Sequence, residues 1–192
     1  MNKLLIATLV LAGTIQTVYA QQFRLDQPVS DFTVHDMKGR SLNYRKLKGD
    51  VTVVMFFSTR CPISNAFNFR RNTIYREFKN RVKFIAVDSN SNESLEEVRA
   101  YADEVGFDFP VYVDPKSEVS DRFGVLATTD TFVMDSSGVM RYHGYIEDAL
   151  NPARTTKQGL RLAIEAVLNA KPIEMAESQA RGCAIRHSKP GQ

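Results

Sequence analysis

The sequence predicts an α/β domain, a central mixed β-sheet flanked by helices on both faces. Three observations carry this. First, VTVVMFF (51–57), VKFIAVD (82–88) and FPVYVD (109–114) are short, nearly unbroken apolar runs, the mark of strands buried on both faces in a parallel arrangement. Second, these runs alternate with segments whose apolar residues recur at helical spacing. Third, TFVMD (131–135) turns at Ser137-Gly138 into VMRYHGYI (139–146), a hairpin that adds antiparallel strands.

The elements follow in order. DFTVHD and the stretch after Lys38-Gly39 flank a turn and read as an N-terminal hairpin, and LNYRKL reads as a short helical turn closing at Gly49. After the strand at 51–57, Ile63, Phe67, Ile74 and Phe78 form an apolar stripe widened by Ala66 and Tyr75, which predicts a helix over 62–80. Pro62 suits its first turn, where the missing N–H leaves no bond unmade. Ser94-Leu95-Glu96-Glu97 is a capping-box pattern opening a helix striped by Leu95, Val98, Ala102 and Val105. Asp114 is expected to cap a short helix with Pro115 at its first position, closing near Gly124. A last helix carries Leu160, Ile164, Val167 and Leu168, and a polar tail containing Cys183 follows from Lys171.

The beginning of the chain reads differently. Lys3 precedes the apolar stretch LLIATLVLAG, and Val18-Tyr19-Ala20 has the small or β-branched residues of a cleavage site. That apolar stretch is short against the roughly 20 residues needed to span a bilayer. Residues 1–20 are therefore expected to be a signal peptide, 21–170 the folded domain and 171–192 the C-terminal tail. The expected location is periplasmic or secreted, with no stable membrane insertion after cleavage. The formal net charge of +3 falls by one when Lys3 is removed, too small a surplus to argue for nucleic acid. No glycine-rich phosphate loop follows any strand, and no cofactor is expected.

The chain has two cysteines among 192 residues. Cys61 stands in Ser58-Thr59-Arg60-Cys61-Pro62, between the end of a buried strand and the start of a helix. Chemistry in open α/β folds concentrates at that end of the sheet. The unpaired N–H groups of a helix start favour the thiolate, the reactive form of cysteine. From Arg60 to Arg81 there are six basic residues against Glu77 alone. Adjacency places only Arg60 near the sulfur, and most of the arginines are expected to point to solvent. A lone cysteine is commonly a small buried hydrophobe, a role that this loop suits poorly.

These residues, FFSTRCPISNAF (56–67) with FIAVDSN, the stretch from FPVYVD to TFVMDSSG, RYHGYI and GCAIR, resemble in this order the redoxin group. These are thioredoxin-like proteins with a peroxiredoxin-like core, in the alkyl hydroperoxide reductase/thiol-specific antioxidant group. The resemblance runs from about Phe23 to Arg186 and implies a thioredoxin-like fold. By that resemblance Cys61 falls on the nucleophilic cysteine. Ser58 falls where peroxiredoxins keep a Thr or Ser hydroxyl facing the peroxide. Ser64 falls where dithiol thioredoxins have their second cysteine, and its hydroxyl can donate to the thiolate. The chain departs from the pattern at two places. Val54 replaces a peroxiredoxin proline seven residues before Cys61. Thr129 stands where thioredoxins carry a cis-proline and peroxiredoxins an arginine. A cis bond before a non-proline residue costs about 2.5–4 kcal/mol, so Thr129 is expected to be trans.

The activity the resemblance implies first is peroxide reduction through Cys61, an antioxidant chemistry that passes through a sulfenic acid captured by a thiol. The alternatives are monothiol exchange with disulfides and a non-catalytic binding module. Arg60 and Thr129 are the expected substrate contacts. The partners implied are a peroxide or disulfide substrate and a thiol electron donor. Cys183 reads either as a resolving cysteine for Cys61 or as a structural or idle thiol. Cys183 and His187 lie four apart, but two ligands make no metal site. Copper-delivering relatives use two neighbouring cysteines, which Cys61 lacks, and no metal is expected.

Overall fold

The computed structural model describes residues 22–188, so the expected signal peptide and its cleavage point lie outside the described residues. In chain order the hairpin forms first, β1 (Thr33–Asp36) antiparallel to β2 (Ser41–Asn43). Gly39 in its turn has φ 76°, a conformation open to glycine because it lacks Cβ. One helical turn, α1 (Tyr44–Leu47), leads to β3 (Thr52–Phe57), α2 (Pro62–Asn65) and α3 (Asn68–Phe78). Then come β4 (Lys83–Asp88), α4 (Leu95–Val105), β5 (Val111–Val113) and α5 (Glu118–Phe123). The domain closes with β6 (Thr131–Met134), β7 (Met140–Gly144), a 3-10 turn at Pro152–Arg154 and α6 (Gly159–Leu168).

The strands form one sheet in the order β2-β1-β5-β4-β3-β6-β7. β3 pairs parallel to β4 and antiparallel to β6, so the sheet is mixed. Every residue of β3 is buried because its alternating side chains feed two cores. Val53, Met55 and Phe57 meet Ile74 and Phe78 of α3, Val98 of α4 and Leu160 and Ile164 of α6. Val54 and Phe56 meet Val119 and Phe123 of α5 together with Phe32 and Tyr44. Helices thus cover both faces in a thioredoxin-like arrangement. Among the described residues no helix is long and apolar enough to cross a membrane.

Three local expectations need correction. The helix over 62–80 is broken between α2 and α3. The Ser64 carbonyl accepts the Phe67 N–H (3.0 Å) and the Arg71 guanidinium (2.8 Å), and Phe67 sits at φ −97°, ψ 0°. The helix expected from Pro115 starts only at Glu118, because Ser117 takes φ 58°, yet Asp114 still accepts the N–H groups of Val119 and Ser120. Finally, the residues after α6 do not trail away. The chain from Met175 to Ser188 is a strap across the C-terminal end of the sheet. It bridges His143 to Glu177 in parallel and buries Ala180 and Ile185. The capping box at Ser94 and Glu97 forms in full, and Gly106 closes α4.

Candidate active site

β3 ends at Phe57, and three residues later the chain turns into α2 with Cys61 at its N-cap and Pro62 in its first turn. Cys61 is buried, with 2% of its surface exposed. It forms a disulfide with Cys183 of the strap, Cα to Cα 6.0 Å, across 122 positions of sequence. The Cys61 sulfur also accepts two backbone N–H groups, from Ser64 at 3.4 Å and from Cys183 at 3.3 Å. Donors of this kind favour a thiolate once the bond is cleaved. Because α2 is a single turn, the support comes from these N–H groups rather than from a long helix behind the sulfur.

Against the same turn lies Arg71, fully buried. It donates to the Ser64 carbonyl and hydroxyl, the Phe56 and Thr128 carbonyls and Asn68 Oδ1. None of these partners is a carboxylate. Burial pushes its pKa down to about 9, so it remains cationic at neutral pH. Arg71 therefore ties together the end of β3, the α2 turn and the loop before β6, the three walls around Cys61.

A second clamp holds the loop from the other side. Glu93 accepts from the Ser58 hydroxyl at 2.5 Å, the Thr59 N–H at 2.6 Å and the Thr59 hydroxyl. Burial, and then Glu93 beside it, push the Asp88 carboxyl well above the usual carboxylate range. The same loop reaches the strap. Asn90 Oδ1 accepts the Arg186 N–H at 3.0 Å, and the Ser91 N–H donates to the Arg186 carbonyl at 2.7 Å. On the opposite edge the Thr128 N–H donates to the Cys183 carbonyl at 2.9 Å, and the Thr129 hydroxyl donates to the Arg181 carbonyl at 2.6 Å. Gly182 packs closely in this fit: a Cβ there would meet Thr128 N and Oγ1 at 3.0 Å and the Ala127 Cβ at 3.2 Å, so the Thr128 loop would have to shift by a few tenths of an ångström.

Comparison with known proteins places this geometry. Residues 25–143 match the model of the AhpC/TSA family. The chain belongs to the AhpC/TSA family. Among similar curated proteins is the thiol-disulfide oxidoreductase ResA of Halalkalibacterium halodurans, 27% identical over 122 residues, covering 62% of this chain and 68% of that protein. Among solved structures, an uncharacterized conserved protein from Geobacillus kaustophilus superposes with a TM-score of 0.80 at 25% identity, over 89% of this chain and 95% of that one. A hypothetical protein from Sinorhizobium meliloti superposes with a TM-score of 0.78 at 25% identity, over 88% and 97%. The fold is thioredoxin-like. The matched family segment contains Cys61, while Cys183 and its strap lie beyond it.

Within this AhpC/TSA domain the expected site residues have distinct fates. Cys61 and Cys183 are joined. Ser58 is near in sequence, but its hydroxyl proton is committed to Glu93 rather than facing a substrate. Ser64 supports the sulfur through its backbone N–H, while its hydroxyl accepts from the Ser58 N–H and from Arg71. Arg60 turns to the surface and pairs with Glu97, which raises its pKa. Thr129 has no cis bond, and its hydroxyl is occupied by the strap. Val54 lies mid-strand, paired with Ile85 and Phe132. His187 pairs with Asp121 rather than with Cys183, and among the described residues no group of three or more His, Cys, Asp or Glu could hold a metal. Sequence reasoning missed Arg71 and Glu93. Glu93 carried no signal beyond its place just before the capping box. Arg71 carried one that misled, an arginine inside a basic helix.

Proposed function

We propose that this chain is an exported thiol–disulfide oxidoreductase in which Cys61 and Cys183 are the redox pair. The observation that carries the reading is the disulfide between the cysteine at the end of β3 and the cysteine on the strap. The similarity to ResA supports the same chemistry, and the signal-peptide pattern of residues 1–20 supports export. In the reaction, a partner dithiol gives one thiolate to the disulfide, forming a mixed disulfide and releasing one thiolate of the pair. The partner's second thiolate then attacks its own sulfur in the mixed disulfide and releases the other. The partner loses two electrons and becomes a disulfide, and this chain gains them as two thiols.

Peroxide reduction, the activity the resemblance put first, has less support. The Ser58 and Thr129 hydroxyls are both engaged within the chain. The buried cation that grips the Cys61 turn, Arg71, is committed to backbone and side-chain acceptors. The test is titration of the folded, oxidised protein with dithiothreitol. It should accept two electrons per chain without unfolding, and it should return them to a disulfide-bearing peptide. A bond that yields only after denaturation would be a structural staple, and the proposal would fall.

A further inference from the structure

We infer that an incoming thiolate attacks the sulfur of Cys183, and that Cys61 is the leaving thiolate. This rests on the redox-pair reading above and adds a direction to it. The two sulfurs of the bond are not equivalent. Cys61 is 2% exposed, under the strap. Cys183 is partly exposed, and Arg181, Ala184 and Arg186 around it are exposed. A nucleophile must approach along the S–S axis, opposite the sulfur that leaves. Cys183 therefore lies on the accessible side of the bond, whereas a thiolate could reach Cys61 only through its buried surroundings.

The leaving side is prepared as well. Cys61 Sγ already accepts the N–H groups of Ser64 and Cys183, and Ser64 is itself gripped by buried Arg71. Among the described residues no hydrogen bond reaches the Cys183 sulfur. In thiol–disulfide exchange the better-stabilised thiolate leaves faster. Access and leaving-group stability therefore select the same bond polarisation. The step balances: a thiolate RS⁻ bonds to Cys183 Sγ, the Cys183–Cys61 bond breaks, and its electron pair stays on Cys61. Cys183 then carries the partner on the surface, held near by the contacts of Arg186 with Asn90 and Ser91. Cys61 waits beneath as a thiolate that can reattack only Cys183. By microscopic reversibility the reduced chain meets a disulfide through Cys183, and Cys61 expels the partner. Cys61 is then the resolving sulfur, the reverse of the role its place at the end of the strand suggests.

Glutathione is a fitting probe, because its carboxylates complement Arg181 and Arg186 beside Cys183. The oxidised, folded protein is mixed with excess glutathione, quenched in acid after short times, and the adducts are mapped by peptide mass spectrometry. The expected result is glutathione on Cys183 with Cys61 unmodified, favoured about tenfold or more over the opposite adduct. Glutathione mainly on Cys61, or equally on both, overturns the inference while leaving the redox pair standing. An intact disulfide with no adduct at either cysteine removes the redox-pair reading itself, and the inference with it.

Discussion

At the scale of single residues, Arg71 is the least expected feature. A buried guanidinium is costly unless its donors are satisfied, and arginine is rarely buried for that reason. Here five hydrogen bonds from its two terminal nitrogens to neutral acceptors offset part of that cost, while Nε finds no partner among the described residues. The fold holds a positive charge against the turn that carries Cys61, with no carboxylate to cancel it. Cys61, though buried, should therefore titrate below the ordinary thiol value of about 8.5. In a Cys183→Ser background the pH dependence of alkylation reports this directly. Arg71→Met should raise the midpoint by about one unit or more, and Arg71→Lys, which restores charge but not the fork, should recover part of it. Far-UV circular dichroism identifies variants that remain folded. A folded Arg71→Met protein with an unchanged midpoint would show that Arg71 only fills space.

At the scale of elements, the connection from β5 to α5 carries a buried acid. Asp114 Oδ2 accepts the Ser89 hydroxyl and the N–H groups of Val119 and Ser120. Burial outweighs these bonds and pushes its pKa from 3.8 up to about 6. The sign follows from linkage. A raised value means that the folded state holds the proton more tightly than the unfolded chain. The resulting stabilisation is complete below the unfolded value and is lost as pH rises through about 6. The shift from 3.8 to about 6 corresponds to about 3 kcal/mol at 1.36 kcal/mol per unit. Asp88, raised in the same direction, adds to the decline. Asp114→Asn keeps an oxygen for the two N–H groups and cannot ionise. It should flatten the fall in unfolding free energy between about pH 4 and 6, measured by urea denaturation. A variant whose stability falls more steeply than the parent's over that window would contradict the assignment.

At the scale of the whole molecule, the strap and its disulfide make one closed ring of most of the fold. The bond joins residues 122 apart. Closing a loop of that size removes conformational freedom from the unfolded chain, worth up to about 5 kcal/mol in the chain-entropy limit. Reduction, or Cys183→Ser, should therefore lower the melting temperature by on the order of 10 °C. The decrease should come with faster amide exchange at Ser91 and Thr128, whose N–H groups hold the strap. A redox pair with this linkage changes stability as it turns over. Equal melting temperatures for oxidised and reduced protein would show that closing this ring does not stabilise the fold.

What the sequence by itself determined is what local pattern encodes. The buried runs at 51–57, 82–88 and 109–114 became β3, β4 and β5, and the Ser94–Glu97 capping box formed as its spacing requires. The same locality put Cys61 at the end of a strand with Pro62 behind it. Only the tertiary structure decided the rest. The apolar stripe of Ile63, Phe67, Ile74 and Phe78 is continuous in sequence, yet the helix breaks because Arg71 captures the Ser64 carbonyl once β3 and the Thr128 loop close around it. Ser58 serves Glu93 across 35 positions, and Cys61 finds Cys183 across 122. Periodicity and capping act within a turn or two of chain. The partners of a buried cation, a loop clamp and a strap come from segments that meet only after the sheet has assembled, and no local pattern names them.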